Sequence, residues 1–320
     1  MGIKLHKYKN ISDNLIFISG VTRSGKSILC PIISSFKNTE NFILNSFSEV
    51  VLAKIHSSLI NKETGKYLIK ISFNEIIYNL AIGRNLNLKK TDYSSVTNNV
   101  NFNIYQKRLK THESKLNTKN ILKKNFFPIM FHDLMIEPKT IIEVYPNSKI
   151  LNIERHPVDI IMSWKKKGYG EKYLNDKRNL ILTFSKDKRK IPFYVIKNYK
   201  NFLKQETDLD KIIFILWEIN KIIKDKYKKL TKKQKKNIIT LTFDDLTTQT
   251  FDVLKKIEKF LKLNISSDTY KIASKENCPR KIDYYKRQIK NQKIQKKISE
   301  ANKKKLLHMI KLYEIKKFYV

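Results

Sequence analysis

The sequence predicts an α/β fold with a central, largely parallel sheet, and three observations predict it. Short apolar runs of strand length alternate with segments of helical spacing, the order that lays helices over a parallel sheet. The first apolar run stops at Ser19-Gly20 and a loop leads from there into a helical segment. A later run, residues 149–153, ends at Glu154-Arg155, just ahead of a helix opened by Pro157.

Taken in order, Leu15-Ile16-Phe17-Ile18 is a continuous apolar run, the pattern of a buried strand. Ile28-Leu29 and Ile32-Ile33 repeat at helical spacing, and Pro31 predicts a kink or an early helix end because it lacks an N–H. Phe42-Ile43-Leu44 predicts a second strand. Residues 50–59 and 73–81 have helical spacing, whereas the polar stretch 85–103 predicts a mobile loop. Residues 127–131 predict a strand ending at His132-Asp133, 138–144 a short helix and 149–153 another strand. Residues 157–164 predict a helix whose proline sits in the first turn, where the missing N–H is harmless. Helices are predicted over 193–202 and 212–227, a β-branched strand over 238–243 and an amphipathic helix over 251–261. Residues 281–317 carry 13 Lys/Arg against 3 acidic residues and predict Lys-rich helix. With no repeat and no linker, a single domain over 1–320 is expected. Within it we expect a helical and loop region at about 45–125 and a Lys-rich helical C-terminus at about 281–320.

Composition narrows the class. The 320 residues hold 66 Lys+Arg against 29 Asp+Glu, a formal charge of +37. Only eight of the 66 are Arg, and Ile and Asn are abundant beside Lys, a blend that A+T-rich coding produces in any protein. Such a charge bears on solubility and non-specific binding, not on fold. A hydrophobic fraction of 41% excludes a disordered chain, and 7 Gly with 7 Pro exclude a collagen-like or low-complexity one. Two cysteines, Cys30 and Cys278, make neither a disulfide framework nor a Cys-based zinc site, and a reducing, cytoplasmic setting is expected. Residues 1–14 lack the apolar core of a secretory signal, and His6 breaks the myristoylation pattern. The apolar run 212–217 falls far short of the ~20 residues of a membrane span.

Two segments carry phosphate chemistry. Gly20-Val21-Thr22-Arg23-Ser24-Gly25-Lys26-Ser27 fits G-x-x-x-x-G-K-[ST] between a strand and a helix. Glycines let backbone wrap an anion, successive N–H groups and the helix start attract it, and Arg23 and Lys26 add full charges. In the second segment Arg155 stands at a strand's C-terminal end, where open α/β sheets bind ligands. Ser163, eight residues on, is placed to share an anion with its guanidinium fork.

Together these segments resemble the sulfotransferase family. Arg23-Ser24-Gly25-Lys26-Ser27 is similar to that family's 5′-phosphosulfate loop, with Lys26 where Thr is usual. Residues 155–163, Arg155-His156-Pro157-Val158-Asp159-Ile160-Ile161-Met162-Ser163, match R-x-P-x-D-x-x-x-S at every fixed position. Thr242-Phe243-Asp244-Asp245-Leu246 is similar to a third family segment, Y-E-D-L. The resemblance implies a three-layer α/β/α, P-loop NTPase-like fold. It also implies transfer of a sulfuryl group from 3′-phosphoadenosine 5′-phosphosulfate (PAPS) to a hydroxyl or amine, with no metal required. By it, Arg23, Lys26 and the backbone of Ser24, Gly25, Lys26 and Ser27 would meet the phosphosulfate, and Arg155 and Ser163 the 3′-phosphate. His132, at a strand end 23 residues before Arg155, would be the general base, with Glu49 and Asp133 as rivals. Arg280-Lys281 is similar to a late basic pair of the family but lacks its following Gly.

Two other readings stay open. Lys26 completes a Walker A loop, so a P-loop kinase or NTPase using Mg-ATP is the alternative, with Asp133 or Glu218 as the acidic residue. A basic nucleic-acid binder is the second, resting on residues 224–236 and on Tyr284-Tyr285-Lys286-Arg287; no specific nucleic-acid motif is present. Carbohydrate, lipid, small alcohol and protein tyrosine are all candidate acceptors, with Trp164, Tyr169 and Tyr173 as candidate stacking residues.

Overall fold

The computed structural model describes residues 9–170 and 181–319. Tyr173 and His6, singled out above, lie outside the described residues.

Among the described residues seven strands are present: β1 (Leu15–Ser19), β2 (Ile43–Leu44), β3 (Phe127–Met130), β4 (Lys149–Glu154), β5 (Thr183–Lys186), β6 (Arg189–Pro192) and β7 (Ile238–Thr242). Five of them form one sheet in the order β2-β3-β1-β4-β7, and every pairing in it is parallel. β1 is therefore central, which explains why all five of its residues are buried. Its side chains alternate between two cores. Leu15 and Phe17 join one apolar cluster and Ile16 and Ile18 the other.

Helices cover both faces, so the three-layer architecture expected above is the one observed. On the first face lie α1 (Lys26–Ser34) and the helices Thr250–Leu261 and Ser267–Lys275, packing Leu29, Ile33, Leu254 and Ile257. The second face carries α2 (Ser46–His56), α3 (Lys62–Ile82), α6 (Pro138–Val144), α7 (Pro157–Lys166) and the helix Asp208–Lys228, while α4 (Phe102–Lys110) and α5 (Thr118–Lys124) lie outside them. None of the described helices is long and apolar enough to cross a membrane.

Some elements differ from expectation for local reasons. α3 begins eleven residues before 73, because the Asn61 side chain caps Glu63 and Thr64 N–H groups and starts the helix there. Residues 193–202 are a 3₁₀ stretch, Phe193–Asn198, running into a short helix, Tyr199–Leu203. The basic C-terminus breaks into two helices, Tyr284–Gln295 and Glu300–Glu314, since the Ser299 side chain caps the second. The antiparallel hairpin β5–β6 was not expected. Its turn residues Asp187 and Lys188 both have positive φ, as a two-residue hairpin turn requires; its turn end is charged and exposed, and only Ile191 and Pro192 are buried. The 85–103 stretch, expected as a mobile loop, is tied by the Asp92, Ser94, Ser95 and Asn98 side chains and buries Val96.

Candidate active site

The loop between β1 and α1 is shaped by glycine. Gly20 and Gly25 sit at φ +146° and +118°, and a Cβ on either would lie 2.4 Å from Ile153 O or from Phe243 Cδ2. Both positions thus exclude side chains on space as well as on backbone strain. α1 starts with no side-chain cap at Gly25. The N–H groups of Lys26 and Ser27 therefore lack intrahelical acceptors and face an anion-favouring helix start.

The two cations of the loop have different surroundings. Arg23 is exposed, at φ 71°, and donates through Nε to Ser163 Oγ at 3.0 Å. Lys26 is 3% exposed and donates through Nζ to Gly20 O at 2.5 Å and Val21 O at 2.9 Å. Burial lowers its pKa to about 8, opposed by the charges of Asp133 and Glu49. The Lys26 ammonium, expected at the bound anion, here donates to the loop's own carbonyls.

Arg155 follows β4, with α7 starting two residues later. It donates to Arg23 O at 2.9 Å, and its guanidinium lies 4.5 Å from the Phe243 ring centroid. Arg280 stands 5.4 Å from the same centroid. Burial and the nearby Arg23 and Arg280 lower the Arg155 pKa, while Asp159 and Asp244 oppose this. The Arg155 Nε is buried and finds no partner among the described residues. Sequence reasoning treated Arg280-Lys281 as a weak signal. The structure separates the pair, placing Arg280 against Phe243 and leaving Lys281 in solvent.

Asp159 does not pair with Arg155 by hydrogen bonding. Its carboxylate meets Arg287, which also binds Asp244 through two nitrogens. Arg287 is 8% exposed, so the nucleic-acid reading loses it as a surface cation. It anchors the basic helix Tyr284–Gln295 to α7 instead. His156 caps α7 by accepting from Val158 N–H and packs edge-on against Tyr313. Burial drives its pKa down to about 4, so it is a neutral structural group at ordinary pH.

His132 and Glu49, rivals on sequence, are partners in space. Glu49 lies in the first turn of α2 and not in a loop. Its Oε1 accepts from the His132 backbone N–H at 2.7 Å and lies 3.0 Å from Nδ1. A ring nitrogen held by a carboxylate is the donor, which leaves Nε2 as the acceptor. Asp133, the third candidate, is 5% exposed with φ 52° and accepts from the Tyr194 hydroxyl at 2.6 Å. Burial raises its pKa, against the pull of Lys26. Glu218, the other acidic candidate of the kinase reading, lies within the helix Asp208–Lys228 and binds Asn198 and Lys221.

One cavity of about 640 Å³ is lined by the loop (Thr22, Arg23, Gly25, Lys26, Ser27) and by His132. Tyr93 and Tyr169 also border it. Trp164 does not: it is fully buried and donates through Nε1 to Thr22 O at 2.8 Å, which corrects it from a candidate sugar-stacking residue to a core one.

No family model and no curated protein matches the chain. Solved structures similar to it include the sulfotransferase domain from the Synechococcus PCC 7002 olefin synthase, 11% identical, covering 98% of both chains with a TM-score of 0.47. The sulfotransferase domain from the curacin biosynthetic pathway is 14% identical over 79% of this chain and 75% of that one, with a TM-score of 0.44. Mouse sulfotransferase SULT7A1, complexed with PAP, is 14% identical over 82% of this chain and 64% of that one, with a TM-score of 0.34.

Proposed function

We propose that the protein is a PAPS-dependent sulfotransferase acting on a hydroxyl or amine acceptor. One observation carries the reading. The anion-binding loop and a histidine oriented by a carboxylate line the same cavity, so an anionic donor group and a proton acceptor face one space.

The donor set fits a nucleotide bearing phosphates at both ends. The loop offers a cradle closed to side chains at Gly20 and Gly25. The buried Ser24 hydroxyl and the buried Arg155 Nε lack partners among the described residues. Phe243 is an aromatic face flanked by two guanidinium groups. In this reading Arg23, Ser24, Gly25 and Ser27 hold the 5′-phosphosulfate, and Arg155, Ser163 and Arg280 the 3′-phosphate. PAPS, when bound, supplies the sulfuryl group and a phosphate as leaving group. His132 Nε2 takes the proton of the acceptor as its oxygen or nitrogen bonds to sulfur. Glu49 holds the ring and offsets the imidazolium charge. Arg23 and the loop N–H groups stabilise the charge left on the departing bridging oxygen.

The whole chain, 1–320, is taken as one such domain in the cytoplasm, with the acceptor region at about 45–125 and Tyr93 and Tyr169 at the cavity as acceptor contacts. The acceptor is a carbohydrate, lipid or small alcohol. His132→Gln is expected to lower kcat roughly 10²–10⁴-fold while the affinity for 3′,5′-diphosphoadenosine (PAP) stays within twofold. Turnover measured on PAPS with a panel of acceptors checks this, and a variant with normal kcat moves the base elsewhere.

A further inference from the structure

Four consecutive carbonyls of the anion loop are each held by a donor. Gly20 O and Val21 O accept from Lys26 Nζ, and Gly20 O also accepts from Asp133 N–H. Thr22 O accepts from Trp164 Nε1 at 2.8 Å, and Arg23 O accepts from Arg155 Nη1 at 2.9 Å. The donors come from four places: α1, the segment after β3, the end of β4 and α7.

A carbonyl and the N–H of the same trans peptide point in opposite directions. Fixing the carbonyls of residues 20–23 therefore fixes the N–H directions of Val21, Thr22, Arg23 and Ser24, the last of which turns back to Val21 O. It also neutralises the negative ends of the dipoles that an approaching anion would otherwise meet. Without those donors the same peptides are free to rotate, and an anion must order them on binding.

We propose that the Lys26 and Trp164 side chains are positioning groups that pre-set the loop for the 5′-anion by holding its carbonyl oxygens. The proposal rests on the sulfotransferase reading for the identity of the ligand. It assigns a role to the lysine that departs from the family's usual Thr, and to an indole that sequence reasoning offered to the acceptor. Trp164 and Ser163 are adjacent on α7, so one helix braces two successive residues of the loop, Thr22 and Arg23.

The test separates the two ends of the nucleotide. Calorimetry is run with PAP and with adenosine 3′-monophosphate on the wild type, Trp164→Phe and Lys26→Met. Trp164→Phe keeps an aromatic ring and deletes only the Nε1 donor. The wild type is expected to bind PAP more tightly than the 3′-monophosphate. Each variant should lose about tenfold in PAP affinity, the worth of one such hydrogen bond, with the 3′-monophosphate unchanged. Unchanged PAP affinity in Trp164→Phe overturns the proposal. So does an equal loss for both ligands, which would mark a general packing defect. Should Lys26→Met not fold, Trp164→Phe decides alone. A wild type that ignores PAP altogether refutes the sulfotransferase reading instead.

Discussion

The sheet edge that carries the β1–α1 loop and Arg155 and the layer formed by α2 to α5 are built by different means. The edge is made mainly of backbone: glycines at positive φ, helix starts, and loop carbonyls held in place. The layer is made of side-chain networks. At its centre the Glu40 carboxylate accepts from Arg108 through two nitrogens, from Tyr105 Oη and from Asn125 Nδ2. Glu40 and Arg108 are 2% and 5% exposed. Backbone constraints leave residue-type signatures that can be read along a chain, whereas a buried network leaves none. The site joins both: the loop belongs to the edge, and Glu49 to the layer.

Breaking the network should give the largest effect. Arg108→Met leaves a buried carboxylate with its main counter-charge gone, a loss of about 3–5 kcal/mol in stability. Urea unfolding is expected to show that loss, with PAP affinity of the folded protein within twofold of wild type. A large affinity loss would mean that the layer shapes the phosphate edge.

Gly25→Ala should show the reverse pattern. The added Cβ meets Phe243 at 2.4 Å in a backbone conformation that favours glycine. Strain of roughly 1–3 kcal/mol at the cradle predicts a 10- to 100-fold loss of PAP affinity. Calorimetry checks this, and wild-type affinity would show that the loop tolerates the side chain.

His156 sharpens the contrast through pH. Its pKa falls from 6.5 to about 4 on folding, so below pH 6.5 the unfolded chain binds the proton and the native protein does not. Stability from this group is full above pH 6.5 and is lost as pH falls towards 4. By pH 5 the loss is about 2 kcal/mol. His156→Asn, which keeps a cap acceptor, should flatten that part of the stability profile. His56, also lowered to about 4, adds slope over the same range. An unchanged profile would mean that His156 titrates normally in the folded protein.

The same contrast explains what the sequence made legible. The parallel sheet, the strand ends at Gly20 and Arg155, and the helix opened by Pro157 all follow from apolar runs and from residues that tolerate one local geometry. His132 and Glu49 were both visible as candidates. Their pairing, across 83 residues, was not, because strand length and helical spacing do not fix which side chains meet. The inward turn of Lys26 was hidden for another reason: the motif is the same whether the ammonium faces an anion or the loop carbonyls. Arg287 was hidden in a run of surface lysines, since nothing local marks it as the cation that pairs with both Asp159 and Asp244.

The central claim is that this edge recognises a nucleotide by its 3′-phosphate. Titration of PAP, ADP and Mg-ATP into wild type and Arg155→Ala tests it most directly. The account predicts that PAP binds at least tenfold more tightly than ADP, and that Arg155→Ala removes that advantage. Tight binding of Mg-ATP with PAP ignored would contradict it.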